Sequence, residues 1–149
     1  MAQWLICDTF REHRMDRTSG AVTGDPKIAL VTAAYTFDQN THEFFDDITN
    51  EVSGTGYTAG GNAVANFGIS MNASGLVTID SDDPATWLED AGGFSNARRA
   101  VLYFDTGTAG TSRLVAVSED FGSDRGNADG DFAIELDADG IITSVREVV

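Results

Sequence analysis

Several residue types that commit a chain to a particular chemistry are scarce in this sequence. Its 149 residues include one cysteine (Cys7), two histidines, two prolines and a single lysine, Lys27. One cysteine excludes an internal disulfide, and one cysteine with two scattered histidines is too few for an ordinary zinc site. We therefore expect Cys7 to act as a small buried hydrophobic residue.

Long apolar runs are also missing. No segment approaches the roughly 20 apolar residues that a membrane-spanning helix requires, so we expect no membrane partner. Residues 1–7 lack the basic flank and apolar core of a secretion signal, which favours a protein that stays in the cytoplasm until assembly. The length suits one domain with a substantial core.

Positive charge is scarce relative to negative charge. Nine Lys and Arg residues stand against 24 Asp and Glu residues, which gives a net charge of −15 and a pI near 4.1. Such a surface repels nucleic acid, so nucleic acid is not an expected partner. It also suits high salt, where repulsion is screened, and we expect a marine or hypersaline setting. An ordinary acidic protein is the alternative.

Three of the nine positive charges lie close together near the start of the chain. Arg11, Arg14 and Arg17 are spaced three apart, and a helix near residues 8–17 with Asp8 as its N-cap would place them along one side. We predict that residues 1–20 form an N-terminal arm that docks on an acidic partner, followed by a β domain over residues 21–149. A solvated helix is the alternative for the arm.

The sequence is rich in short β-type runs separated by Gly, Asn, Asp and Ser turns. One helical turn is predicted at residues 41–48, with Thr41 as its cap. Turns at residues 105–107 and 138–140 suit hairpins. The pattern predicts an all-β fold, an antiparallel β-sandwich or barrel with a short N-terminal helix. The predicted strands are residues 27–35, 65–71, 75–80, 85–88, 99–104, 112–118, 131–137 and 140–145.

A glycine ribbon at residues 47–61 is the most distinctive segment, with four glycines and several hydroxyl residues. The spacing of Gly54, Gly56 and Gly60 does not fit a dinucleotide-binding turn, and no Gly-Lys-Ser/Thr sequence forms a phosphate loop. The ribbon contains no base, nucleophile or metal cluster. We predict tight turns, no cofactor site, no catalytic residues and no enzymatic activity.

Two clusters of hard oxygen ligands make calcium the strongest metal candidate. They lie at residues 80–83 and 127–131, and neither has the glycine position and distal glutamate of an EF-hand. We expect solvated turns at both, with a structural calcium site as the alternative.

Nine short segments together form a recognisable pattern: residues 27–36, 41–48, 54–61, 99–103, 105–107, 111–112, 121–124, 131–132 and 140–141. This pattern resembles a family of small structural proteins of tailed viruses. The likeness spans about residues 27–143 and departs from the family pattern at the arginine-rich arm and at an insertion-like stretch, residues 82–97. The resemblance implies a virion protein on the outer capsid surface, a decoration or cement protein bound to the major capsid protein.

The partner-binding residues expected from this reasoning are arginines and aromatics, which usually dominate interfaces. We expect Arg11, Arg14 and Arg17 to dock the arm, with Tyr57 and Trp87 as apolar anchors. Core positions for Tyr57 and Trp87 are the alternative. We also expect a homo-oligomer, with a trimer on threefold capsid positions as one arrangement. A tail, baseplate or fibre protein and a carbohydrate-binding module that requires Trp87 are the alternative functions.

Overall fold

A computed structural model of the chain describes residues 3–15, 22–74 and 77–144. The named strand pairs are all antiparallel. Two 3-10 turns, Phe45–Asp47 and Ala109–Thr111, lie between strands. The predicted all-β class with a short N-terminal helix is confirmed. The main elements are β1 (Trp4–Ile6), α1 (Asp8–Met15), β2 (Asp25–Thr32), β3 (Asn62–Ala63), β4 (Gly68–Met71), β5 (Val77–Asp80), β6 (Ala97–Asp105), β7 (Leu114–Ser118) and β8 (Ile142–Ser144).

The larger sheet has five strands in the order β1-β7-β6-β2-β3. Its centre is the long pairing of β2 with β6, in which Ile28 lies opposite Leu102 and Leu30 opposite Ala100. All four of these side chains are 0% exposed. The central strands are covered on both faces, which explains why their sequences are continuous apolar runs rather than alternating ones.

The smaller sheet has three strands in the order β4-β5-β8. Phe67, just before β4, packs edge to face on Phe104 of β6 with ring centroids 4.9 Å apart, and this contact joins the two sheets. Ile79 of β5 is 4% exposed and belongs to the same core. Both sheets are open in the described ranges, so of the two predicted forms the sandwich-like arrangement applies.

The first residues are part of the main sheet rather than a separate arm. β1 pairs with β7, with Leu5 opposite Val117. Cys7 and Phe10 are 0% and 2% exposed and lie in the hydrophobic core. The apolar side chains at the start of the chain complete the sheet edge, a pairing that the sequence analysis did not predict. The predicted boundary at residue 20 and Arg17 lie outside the described residues.

Two predicted strands, residues 85–88 and 131–137, are wrong. They meet through a single bridge between Trp87 and Phe132, whose N–H groups donate to each other's carbonyl oxygens. Beyond that bridge, carboxylates replace the ladder, because Asp131 accepts from the Glu89 N–H and Asp83 accepts from the Leu136 N–H. Side-chain acceptors of this kind compete with strand pairing for backbone donors.

Other local predictions need smaller corrections. The turn near residue 45 is capped by Asp47, whose carboxylate accepts from the N–H groups of Glu43 and Phe44, and not by Thr41. The hairpin at residues 105–107 is confirmed, since β6 and β7 pair around it. The turn at residues 138–140 does not form a hairpin, because the strand that follows it pairs with β5.

Candidate functional site

The two predicted aromatic anchors lie together inside the protein. Tyr57 and Trp87 are stacked, with ring centroids 6.2 Å apart, and Phe94 and Phe132 pack around Trp87. Trp87 is 1% exposed, so it does not present an apolar surface to a partner. The core alternative holds for Trp87, and the anchor prediction for it is wrong.

Tyr57 is half-buried and its hydroxyl group is fully used within the protein. It donates to Glu51 Oε1 at 2.7 Å and accepts from the Leu30 N–H at 3.0 Å. Burial, more than the nearby Glu51 carboxylate, raises the pKa of Tyr57 above its ordinary value. The phenol therefore remains a protonated donor at neutral pH, and its role here is to attach the glycine ribbon to β2.

The same glutamate closes the rest of the ribbon. Glu51 Oε1 also accepts from the Gly60 N–H at 2.5 Å, and the Gly60 carbonyl accepts from the Tyr103 hydroxyl at 2.7 Å. Gly61 has φ +76°, and a Cβ there would overlap the Ile28 carbonyl oxygen. The ribbon is thus a fitted cover over the central strands, and the predicted tight turns are present.

The N-terminal arginines are on a helix, as predicted, within the described part of it. Arg11 is exposed and lies 3.7 Å from the carboxylate of Asp8, one turn earlier. Arg14 belongs to α1, and Arg17 lies outside the described residues. Tyr57 and Trp87 belong to the core beside the ribbon, so the described contacts do not join the arginines and the aromatics into one site.

The first predicted calcium cluster is divided among separate loop contacts. Asp82 accepts from the Asn66 side chain, and Asp83 accepts from the Leu136 N–H. Asp80 accepts from the N–H of Ser81, its neighbour. Each carboxylate thus faces a different backbone or side-chain donor.

The second predicted cluster is centred on a buried amide. Asn127 is 0% exposed, accepts from the Phe94 N–H at 2.9 Å and donates to the Leu88 and Thr55 carbonyls. Gly93 approaches so closely that a Cβ there would overlap the Asn127 amide oxygen. In the described ranges, no group of three or more His, Cys, Asp or Glu side chains is placed to hold a metal ion.

Arg125 marks a surface feature that the sequence analysis missed. Its exposed side chain lies where two open grooves of about 490 and 310 Å³ meet, and it makes no ion pair within the described residues. Phe121 and Ile134 line the larger groove, while carboxylates including Glu119 and Asp129 line the two. The acids that line both grooves oppose the approach of a carboxylate, so Arg125 is not a candidate for docking on an acidic partner although its guanidinium group is free among the described residues.

Cys7 and His42 have surroundings that suit a structural role rather than a catalytic one. Burial, more than the adjacent Asp8 carboxylate, raises the pKa of the Cys7 thiol to about 12, so the reactive thiolate is not formed at neutral pH. The prediction of a buried hydrophobic Cys7 is confirmed. His42 Nδ1 lies 2.8 Å from the Tyr35 hydroxyl, and its ring packs between Tyr35 and Phe37.

Comparisons with known proteins add no relative. No family model matches the chain, and neither a curated protein nor a solved structure matches it. The fold defines an all-β protein with two antiparallel sheets, and α1 is neither long nor apolar enough to cross a membrane, which holds for every helix in the described segments. The resemblance to tailed-virus structural proteins stays a prediction.

Proposed function

We propose that this protein is a virion structural protein that binds the outer capsid surface of a tailed virus and stabilises the head. On this proposal it acts by adhesion rather than catalysis, its main partner is the major capsid protein, and several copies assemble on each particle. The motif resemblance over residues 27–143 is the starting point.

The observation that carries the proposal is the distribution of charge. Three of the few basic side chains are used up in ion pairs with the protein's own carboxylates, which leaves an acidic exterior. An acidic exterior suits the outside of a shell and disfavours contact with packaged nucleic acid. The pairs are Lys27 with Asp105, Arg98 with Asp120 and Arg113 with Glu43, at N–O distances of 2.6, 2.7 and 3.0 Å.

The body of the protein also suits a cementing role. Strands buried on both faces and a ribbon fixed by Glu51 and Tyr103 give a body with few internal adjustments to make on binding. A preorganised body loses less conformational entropy when it binds, and simultaneous contacts with several capsid subunits raise the effective affinity by orders of magnitude.

Two alternative functions are a tail, baseplate or fibre protein and a carbohydrate-binding module. A tail, baseplate or fibre location has the same acidic body and differs only in its partner. A carbohydrate-binding module that uses Trp87 as a stacking platform is disfavoured, because Trp87 is 1% exposed.

The experiment is reconstitution on virus particles that lack the protein. Deleting residues 1–20 would not test the arm cleanly, since it removes β1 and the buried Cys7 and Phe10. Charge reversal of Arg11, which is exposed, is the sharper change. We expect full-length protein to decorate the head in cryo-EM maps, and Arg11→Glu to lower its occupancy several-fold.

Arg125→Glu is the matched control, because it makes the same change in net charge at another exposed arginine. We expect it to bind like the unmodified protein. Equal losses for both variants would indicate bulk repulsion and contradict docking through α1. Density on the tail instead of the head, or no binding to particles at all, would overturn the capsid proposal.

A further inference from the structure

One continuous part of this acidic chain carries no charge. Residues 52–79 contain no Asp, Glu, Lys, Arg or His, although charged residues make up 22% of the whole sequence. This neutral stretch includes most of the glycine ribbon, β3, β4 and most of β5. The ribbon half forms turns, and most of residues 53–59 are exposed. The β4 half is exposed as well, but it is a strand, so its free backbone edge is available for pairing.

β4 is an edge strand that is open on both faces. Gly68, Ile69 and Ser70 are all exposed, and Ile69 is 43% exposed. Within the described residues β4 pairs with β5 alone, through four successive residue pairs without a bulge. Native edge strands are usually protected by charged side chains, proline or bulges, and β4 has none of these.

The edge strand β1 of the larger sheet shows what a protected edge looks like. β1 is also an edge strand, but the Gln39 side chain donates to the Ile6 carbonyl at 2.8 Å and occupies part of the free edge. α1 follows directly and ends the strand after Ile6. The absence of comparable protection along β4 is therefore a local feature and not a general property of this fold.

We propose that β4 is a self-association site, at which β4 of a second copy pairs antiparallel with it around a twofold axis. The choice of a second copy follows from charge. Two molecules of net charge −15 repel each other, and the neutral stretch offers them an approach along which the paired strands carry no carboxylates. Strand addition supplies backbone hydrogen bonds, and the twofold makes the contact self-complementary.

Pairing would join the two three-stranded sheets into one of six strands. Four residues per strand form a small interface, below the area of stable permanent dimers, so we expect a dissociation constant on the order of 1–100 μM. The inference is independent of the capsid proposal, since it concerns the isolated protein in solution.

The experiment is sedimentation equilibrium of the full chain from 1 to about 300 μM. We expect a monomer–dimer equilibrium, and a dissociation constant raised roughly tenfold or more in Ile69→Lys, because two lysines would then lie close across the axis. Ser70→Lys, on the other face of β4, should act in the same direction. Leu88→Lys is the control, since Leu88 is 68% exposed and lies outside the neutral stretch.

The control also separates local repulsion from bulk charge. Each lysine variant lowers the net negative charge by the same amount, which by itself would favour association; only the β4 variants should weaken it. Raising salt from 0.1 to 1 M should strengthen the dimer of the unmodified protein, because long-range repulsion is screened. Circular dichroism and a thermal melt would verify that each variant is folded.

Hydrogen exchange identifies the surface directly. Amides in residues 68–71 should exchange more slowly at high protein concentration than at low concentration. A monomer at every salt concentration, an open-ended series of oligomers, or a dimer that ignores both β4 variants would overturn the proposal. A monomer whose binding to capsids is lost in Ile69→Lys would assign β4 to a different partner and would also overturn self-pairing.

Discussion

The central strands and the loop pair at residues 82–95 and 124–137 are held in place by different groups. Leu30 and Leu102 belong to strands that are buried on both faces and joined by regular backbone pairing. The two loops are joined to each other by one isolated bridge, and several of their other backbone N–H groups bind the side chains of Asn127, Asp131 and Asp83. The strands are held by apolar burial and backbone ladders, whereas the loops combine the buried aromatic cluster around Trp87 with hydrogen bonds from polar side chains to the backbone.

This difference explains what many acidic residues are doing. A carboxylate beside a loop satisfies backbone N–H groups that have no strand partner. Acids with this role cluster in sequence much as metal ligands do, which is why residues 80–83 and 127–131 suggested calcium. The comparison predicts that polar substitutions in the loops are as damaging as apolar truncations in the strands.

Asn127→Ala should have the largest effect. The change leaves the buried Phe94 N–H unpaired and removes the hydrogen bonds to the Thr55 and Leu88 carbonyls from a side chain that is 0% exposed. An unpaired buried polar group costs about 1–3 kcal/mol and each further lost hydrogen bond about 0.5–1.5 kcal/mol, so we expect a loss of about 2–5 kcal/mol in the free energy of unfolding. Urea denaturation at pH 7 measures it.

The control is the same substitution at Asn96, which is exposed. Asn96→Ala should change stability by about 0.5 kcal/mol or less. Equally small losses in the free energy of unfolding at Asn127 and Asn96 would contradict the contrast between strands and loops, because the loops would then not depend on their buried amide.

Glu51→Gln should have an intermediate effect, since it acts where the ribbon meets the strands. Glu51 accepts from the Tyr57 hydroxyl and the Gly60 N–H, and a neutral amide weakens both charge-assisted bonds. We expect a loss of about 1–2 kcal/mol by thermal or urea unfolding. Glu89→Gln, at an exposed side chain, is the matched control and should be near neutral. A larger loss of stability in Glu89→Gln than in Glu51→Gln would contradict the assignment of Glu51 as the residue that fixes the ribbon.

Asp105→Asn should have the smallest effect and a distinct pH dependence. The hydrogen bond from Lys27 lowers the pKa of Asp105, so the folded state releases this proton more readily than the unfolded state. The resulting stabilisation is present above the usual aspartate pKa of about 3.9 and is lost as pH falls below it. At pH 7 the free energy of unfolding of Asp105→Asn should be lower than that of the unmodified protein by about 1 kcal/mol or less. This difference between the two proteins should narrow by pH 2.5.

Urea unfolding at pH 7, 4 and 2.5 tests this prediction, with Asp139→Asn as the control at an exposed carboxylate. A constant difference between Asp105→Asn and the unmodified protein across this pH range would show that the ion pair with Lys27 does not contribute. The pH dependence of stability should have the same direction for Asp120, because the hydrogen bond from Arg98 is the chief cause that lowers the pKa of Asp120.

The sequence was informative where burial dictates composition. The apolar runs around Leu30 and Leu102 predicted the strands of the central pairing, and Asp8 marked the start of α1. Residues 131–137 alternate well and still form no strand, because the carboxylates of Asp83 and Asp131 accept backbone hydrogen bonds in place of a partner strand. Hydrophobic periodicity does not reveal such side-chain acceptors. For Trp87 the sequence left two interpretations, a partner-binding anchor and a core residue, because composition alone does not separate a core aromatic from an interface aromatic.

The candidate association edge, β4, lies in a stretch of sequence that carries no charge. The lack of charge over residues 52–79 is visible in the sequence, but its meaning depends on which part forms a strand with a free edge. Only the pairing of β4 with β5 and the exposure of Ile69 distinguish an open edge from a covered one. Likewise, the sequence does not reveal that Arg125 stays unpaired while Arg98 binds Asp120.

The burial of Cys7 has a practical consequence for following the protein on particles. A thiol that is 0% exposed, with its pKa raised to about 12, reacts poorly with maleimide reagents in the folded state. A cysteine introduced at Leu88, which is 68% exposed, would therefore be the reactive thiol, and the native one need not be removed. A single gold cluster or fluorophore attached there would report position and copy number without altering Arg11 or β4.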